Sequence, residues 1–234
     1  MRDSDHFSRV VVADQGQLPR STRSNPATWT GLWGMVRALL AATPEAKIRG
    51  FSASHFSLQS RGGRCEACGG QGVQRISIKP LPDVYRPCPV CGGRRFAADV
   101  LDVTWRGLSA ADMLDGSASE LLPVLAGHPA LQRYLRALVQ VGLGYVPIGQ
   151  SAHTLSGGEA QRLKLARELA RITSLGGEDT LVVMDDPTVG LHDADTALLM
   201  QLLDRMVDAG TTVWLATHHP GLLAWADQVV DVAR

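Results

Sequence analysis

Leu155-Ser156-Gly157-Gly158-Glu159-Ala160-Gln161-Arg162 opens a helical run predicted over Glu159 to Arg171, and Leu181-Val182-Val183-Met184-Asp185-Asp186 follows about twenty residues later. Glycines let the backbone approach an anion closely, and the free N–H groups at a helix start turn positive charge outward. Four apolar residues ending in two carboxylates read as a buried parallel strand whose acids emerge at its C-terminal edge. Ligands of open α/β sheets sit at that edge. The pair suggests a nucleoside triphosphate with Mg²⁺. Each half also has a plain reading, a capped turn for the first and a solvated strand end for the second. Their order in one chain favours the ligand site.

The surrounding chain is of ordinary composition. It has 234 residues, 45% of them apolar, and no formal net charge. That is long enough for a substantial core with an inserted module. No apolar run approaches the roughly 20 residues of a membrane span, and the polar N-terminus does not read as a signal peptide. The expectation is a cytoplasmic protein without membrane contact. Charge is unevenly placed: residues 61–95 carry seven Arg/Lys and two acids, residues 178–234 ten acids and two Arg. The middle is therefore the part expected to meet a polyanion.

That basic stretch also holds all four cysteines. Cys65-Glu66-Ala67-Cys68 and Cys88-Pro89-Val90-Cys91 are nineteen residues apart, with Gly69, Gly70, Gly92 and Gly93 to form the turns. Two close pairs without secretory context favour a metal over disulfides. Zinc is the natural ion for four thiolates, ahead of an iron–sulfur centre and of a redox pair. With Zn²⁺ the four thiolates carry about −2, leaving the module near +3. Solubility alone would account for about half of its arginines. Arg75 to Lys79 alternates like a strand and ends at a proline-rich turn.

Elsewhere, Arg9 to Ala13 reads as a short buried strand, followed by a loop containing Gln15. The breaker-rich run Pro19 to Thr28 precedes a helix over Leu32 to Ala42, capped near Thr30. Leu101 to Trp105 is predicted as a strand, and the helical runs after it are broken by Gly116 and Pro123. A helix follows over His128 to Val141. Past the paired acids, a helix starts near Asp193 or Asp195 and closes at Gly210. Thr211 to Ala216 is a buried strand ending in Thr217-His218-His219. A helix over Leu222 to Ala226 and a strand over Val229 to Val232 complete an α/β layout.

LSGGEAQR resembles the signature of ATP-binding-cassette ATPases, and LVVMDDP their Walker B strand. Arg23-Ser24-Asn25-Pro26-Ala27-Thr28, Gly62-Gly63-Arg64-Cys65-Glu66-Ala67-Cys68, Leu81-Pro82-Asp83-Val84-Tyr85 and Gly142-Leu143-Gly144-Tyr145 narrow the resemblance. They are similar to UvrA, the damage-recognition ATPase of bacterial nucleotide excision repair, and specifically to its C-terminal half. The resemblance implies an ABC-ATPase-like α/β core with an inserted zinc module. It implies Gln15 as the Q-loop glutamine, Asp185 as the Mg²⁺ partner, Asp186 at the catalytic carboxylate position and His218 as the switch histidine. It implies Ser156, Gly157 and Gly158 as the signature contacts to ATP, and Cys65, Cys68, Cys88 and Cys91 as zinc ligands. Damaged duplex DNA, a UvrA-like partner or second copy, and UvrB are the partners it suggests.

On this reading residues 1–60 hold the Q-loop part of the core and 61–95 the zinc module. Residues 96–150 form a mixed signature subdomain, and 151–234 carry the signature helix, Walker B and the switch histidine. Two departures stand out. No GxxxxGK[ST] run occurs in the sequence, so no lysine or amide cradle for the phosphates is expected within it. Hydrolysis is then expected only with a P-loop from another segment or chain. Asp186 stands where the family has Glu, placing a carboxylate roughly 1 Å short of the attacking water, a shift able to cost about a hundredfold in rate. The alternatives are a non-catalytic zinc-dependent DNA- or protein-binding module, an inactive remnant, and a paralogue for resistance to DNA-binding drugs. Cys65 to Gly72 also resembles one repeat of DnaJ-type chaperones, but the ABC motifs argue against that.

Overall fold

The computed structural model describes residues 7–13, 23–77, 83–175, 179–188, 191 and 193–232. Among them, the elements run β1 (Arg9–Ala13), α1 (Pro26–Thr30), α2 (Leu32–Ala41), α3 (Pro44–Ile48), β2 (Val73–Ile76), β3 (Val84–Pro87) and α4 (Ala98–Leu101). There follow β4 (Thr104–Trp105), β5 (Leu108–Ser109), α5 (Ala110–Asp115), α6 (Ala118–Val124) and α7 (Pro129–Gln140). A 3₁₀ turn (Ala152–Thr154) precedes α8 (Gly157–Leu175), β6 (Thr180–Asp185), α9 (Asp193–Asp208), β7 (Thr212–Ala216) and α10 (Pro220–Trp225). Two units divide these residues: one from 1–18, 133–145 and 155–234, the other from 19–132 and 146–154.

The first unit is built on a parallel sheet of order β1-β6-β7. β6 lies between two parallel neighbours, which explains its continuous apolar run. Its register sets Val11, Val182 and Val213 in one row, and Ala13, Met184 and Leu215 in another on the same face. Val182, Met184 and Ala13 are buried there. On the other face the outer strands are open among the described residues: Val12 of β1 is 60% and Trp214 of β7 61% exposed, with Val10 on the same side, while Leu181 of the central β6 is buried there. Helices α8 and α9 pack against β1 and β7 respectively.

The second unit buries Leu32, Phe56, Phe96, Met113 and Leu114. Trp33 lies 6.2 Å from the Phe96 ring and donates its indole N–H to the Phe56 carbonyl at 3.0 Å. Asn25 caps α1 reciprocally with Thr28, and Gly31, in the left-handed region at φ 90°, lets α2 start afresh. The cap expected near Thr30 is Gly31, and the Thr30 hydroxyl accepts from the Leu32 N–H at 3.4 Å. Thr30 is buried and its hydroxyl donates to the Pro26 carbonyl at 2.8 Å. The strand expected over Leu101 to Trp105 does not form as such: Leu101 ends helix α4, and only Thr104–Trp105 is extended. Pro123 falls inside α6 rather than ending it. The strand expected over Val229 to Val232 does not form, and its valines stay exposed because no strand among the described residues pairs with them. The signature helix runs longer than expected, from Gly157 to Leu175. No helix among the described residues is long and apolar enough to cross a membrane.

Candidate nucleotide site and metal centre

The C-terminal edge of the parallel sheet gathers the acids and the histidine pair. Asp185 ends β6 and is exposed. Asp186 follows in the left-handed region at φ 38°, where Asp is among the few tolerated residues. Its N–H donates to the Ala216 carbonyl at 2.7 Å, continuing the ladder to β7. Its Oδ1 accepts from the hydroxyls of Thr188 at 3.3 Å and Thr217 at 3.4 Å. His218 comes next after Thr217 and is exposed, while the His219 N–H donates back to the Thr217 hydroxyl at 3.1 Å. The edge thus brings Asp185, Asp186 and His218 together. Gln15 lies outside the described residues.

The start of α8 is locked by a capping box. The Ser156 N–H and hydroxyl donate to Glu159 Oε2 at 2.8 and 2.9 Å, and the Glu159 N–H donates to the Ser156 hydroxyl at 3.3 Å. Tyr145 donates to Glu159 Oε1 at 2.6 Å. The amides of Gly157 and Gly158 have no intrahelical acceptor, so they remain the groups an anion would meet. Burial opposes the charged form of Glu159, but the bonds from Tyr145 and Ser156 outweigh it and hold the carboxyl below its usual range. A carboxyl with a lowered folded-state value contributes stability above its unfolded pKa of about 4.3 and loses it as pH falls through the folded value. Tyr145→Phe is accordingly expected to lower stability by under about 1 kcal/mol at pH 7, because the pair is exposed. The difference should shrink in denaturant titrations as pH falls through the lowered folded-state value of Glu159. A difference unchanged by acid would show that the hydroxyl acts through something other than Glu159.

Gln161 is a site residue that motif reading misses. It is buried, and its side-chain amide donates to the Asp185 carbonyl at 2.6 Å and the Ala13 carbonyl at 3.3 Å. It therefore ties the ends of β1 and β6 to α8, about 7.5 Å along the helix axis from Ser156. Its signal is a lone amide within the stripe of Ala160, Leu163, Ala166 and Ala170, all buried. Such a residue needs partners, and terminal strand carbonyls supply them.

The four cysteines form a separate cluster in the second unit. Their sulfurs all lie within 4.8 Å of one another. Cys65 Sγ stands 4.0 Å from Cys88 Sγ, and Cys68 Sγ 3.8 Å from Cys91 Sγ. Sulfurs about 2.3 Å from a tetrahedral Zn²⁺ are separated by about 3.8 Å, so the spacing fits the ion and not disulfides. Gly69 (φ 59°) and Gly92 (φ 58°), each directly after a pair, turn the chain back over the site. The Gly72 N–H donates to Cys68 Sγ at 3.3 Å and the Arg95 N–H to Cys91 Sγ at 3.4 Å, bonds that suit thiolates. Amide bonds from Cys91 and Val90 bring the Cys88 thiol down to about 7, whereas burial pushes Cys91 up to about 12 and raises Cys68. A donor set of this kind holds Zn²⁺ as a structural ion with no open position.

The basic surface is partly spent inside the module. Arg64 pairs with Glu66, Arg75 with Asp83 and Arg94 with Asp112. Arg95 donates inward to the Gly149 carbonyl at 2.8 Å. Lys79 lies outside the described residues. The β2–β3 hairpin carries Arg75 and Arg86 beside a shallow groove that includes Gln71, Val73 and Gln74.

With sheet, paired acids, signature helix and four-cysteine cluster in place, the chain has the architecture of an ABC-ATPase-like α/β core with an inserted cysteine module. No protein-family model matches it. UvrABC system protein A of Thermus thermophilus is 46% identical over 228 residues, covering 97% of this chain and 24% of the relative. The Bacillus subtilis protein of that name gives the same identity and coverage. The crystal structure of UvrA2 from Deinococcus radiodurans superposes with a TM-score of 0.90 at 47% identity, over 96% of this chain and 27% of that one. The chain belongs to the UvrA family. It spans about a quarter of the length of the curated relatives it matches.

Proposed function

We propose that this chain is an ATP-controlled, DNA-binding component of nucleotide excision repair, working with a P-loop from another segment or chain. The observation that carries the reading is the sheet edge itself: Asp185 and Asp186 beside Thr217 and His218, tied through Gln161 to the helix that starts at Gly157. Asp185, with Gln15, would hold Mg²⁺ and the attacking water. Asp186 would orient that water and take its proton, and His218 would contact the γ-phosphate. Ser156, Gly157 and Gly158 would be presented to ATP held by a partner's P-loop. Damaged duplex DNA is the polyanion that the hairpin arginines fit, with zinc on the four cysteines fixing the hairpin. The partner would be a UvrA-like chain or a second copy, with UvrB the further partner that family membership suggests. A cytoplasmic location follows from the same reading.

The deciding experiment is Mg²⁺-ATP hydrolysis by the chain alone and with a P-loop-bearing UvrA-family partner. Negligible turnover alone and turnover restored by the partner would support the proposal. Tight ATP binding by the chain alone would contradict the phosphate-site reading, and silence in both conditions with DNA still bound would leave a plain DNA-binding module. In the DNA assay, Arg75→Ala and Arg86→Ala together should weaken duplex binding and reduce the salt slope by about one, most of it from Arg86 because Arg75 is already paired with Asp83. An unchanged slope would place the phosphate contacts elsewhere.

A further inference from the structure

Residues 147–154 return to the second unit before the chain enters the signature. The Ile148 carbonyl accepts from the Ala27 N–H at 2.8 Å, the Gly149 N–H donates to the Leu114 carbonyl at 2.7 Å, and the Ala152 N–H to the Ser24 carbonyl at 2.7 Å. Thr154 is followed directly by Leu155 and Ser156. Two contacts join this return loop to the cysteine module. Arg95 Nη1 donates to the Gly149 carbonyl at 2.8 Å, and the Tyr85 ring, on the strand leading to Cys88, lies 5.7 Å from the His153 ring.

Arg95 touches every side of the cysteine cluster. Its N–H donates to Cys91 Sγ, and its carbonyl accepts from the Cys65 N–H at 2.8 Å. Its side-chain stem lies against Gly72, where a Cβ would come within 2.9 Å of Arg95 Cγ. Gly72 in turn donates to Cys68 Sγ and accepts from the Cys88 N–H at 2.8 Å. Arg95 does this at φ 74°, a left-handed backbone that is uncommon for a long side chain. A Cβ on Gly149 would stand 2.7 Å from Leu114 Cβ and 2.8 Å from Arg95 Nη1, so the loop is fitted tightly against the guanidinium.

We infer that Arg95 is a positioning residue through which the four-cysteine metal site holds the loop that delivers the chain into the Ser156-Gly157-Gly158 signature. The inference rests on the reading that the four thiolates bind a metal. If one residue serves both ends, loosening the loop must loosen the metal, and removing the metal must loosen the loop.

The test uses the full chain loaded with Zn²⁺ and two variants acting from opposite ends. Arg95→Asn keeps a residue that tolerates the left-handed backbone but cannot reach Gly149. Gly149→Ala disturbs the contact from the loop side, its Cβ meeting the Arg95 guanidinium and Leu114 but none of the cysteines. Zinc content is measured first, so failure of metal binding by the unaltered chain is seen separately from failure of the coupling. With zinc bound, Arg95→Asn is expected to raise hydrogen exchange of the 149–154 amides about tenfold, the loss of a charge-assisted bond. Gly149→Ala is expected to speed zinc loss to a chelator several-fold, an effect that packing local to the loop would not produce. Added to Arg95→Asn it should give little further increase, since the link is already cut. Unchanged loop exchange in zinc-loaded Arg95→Asn would overturn the inference. So would zinc loss that Gly149→Ala leaves unaltered, or that the two substitutions raise additively.

Discussion

Cys88→Ser, or extraction of zinc by a strong chelator, is expected to unfold the segment from about Leu58 to Phe96 and to lower the thermal midpoint of the chain by more than about 10 °C. Apparent binding energies of structural Zn²⁺ in small thiolate sites are about 10–16 kcal/mol, as large as the whole stability of a typical domain. Within the module little else is buried: no residue of the four-residue strands β2 and β3 is buried, and its buried cluster consists of Cys65, Cys68 and Cys88, with Cys91 packed against it. Without the ion, four thiols would lie within 4.8 Å of one another with nothing but weak S–H bonds among them. Cys88 is fully buried, so serine there adds an unmet hydroxyl to the lost ligand. Differential scanning calorimetry with and without chelator, with metal content measured alongside, checks this. Because binding requires thiolates, affinity should fall as pH drops from about 8 to about 6, with Cys91 and Cys68, whose thiols burial raises, shedding protons least readily. A midpoint insensitive to chelation would rule out a structural metal.

Asp186→Glu is expected to raise ATP turnover about ten- to a hundredfold in the presence of a P-loop-bearing partner, while lowering the stability of the chain. The rate gain comes from one added methylene, which brings the carboxylate about 1 Å closer to the water it would orient. The stability loss has a different origin. Asp186 has φ 38°, a region that Asp and Asn enter more readily than Glu, and its Oδ1 accepts from Thr188 and Thr217. Glutamate at that backbone should cost about 1–2 kcal/mol. Asp186→Asn keeps the backbone preference and removes the base, so turnover should drop with stability nearly unchanged. Steady-state ATPase assays and urea titrations on the three proteins separate the effects. If glutamate slows turnover and asparagine does not, the proton acceptor is another group.

Strands of the parallel sheet are the most legible part of the sequence. Leu181 to Met184 is apolar without interruption because β6 has a neighbour on each side; β1 and β7 form where expected but, being outer strands among the described residues, are not buried as expected and expose Val10, Val12 and Trp214. The cysteine module is legible because its spacing leaves few alternatives. The failures share a cause: short segments whose conformation is set by distant partners. Val229 to Val232 has the composition of a strand but no neighbour among the described residues to pair with, whereas Ala98 to Leu101 becomes helical with Val100 buried against the rest of the unit. Helix α3 does carry a local signal, Thr43 as cap with Pro44 at the first position, but is only five residues long. The places of Asp185, Asp186 and His218 just at or after strand ends are legible. Gln161 and Arg95 are not, since their roles depend on carbonyls of Ala13, Asp185 and Gly149 that are remote in sequence.

The open face of the parallel sheet bears on how the chain behaves in a tube. Val10 and Val12 on β1 and Trp214 on β7 are exposed on the same face, with β6 between the two strands. Water-exposed apolar rows on extended backbone are sticky, and the charge on this face of the sheet, exposed Asp185, stands at its C-terminal edge rather than among the valines. Colloidal behaviour will therefore depend on protein concentration. Dilute samples are expected to stay clear, and concentrated ones to scatter light as sheet faces find each other. Whatever covers that face acts as a solubiliser as well as a structural neighbour, and Trp214 fluorescence, shifting to the blue as water leaves the indole, reports the covering directly.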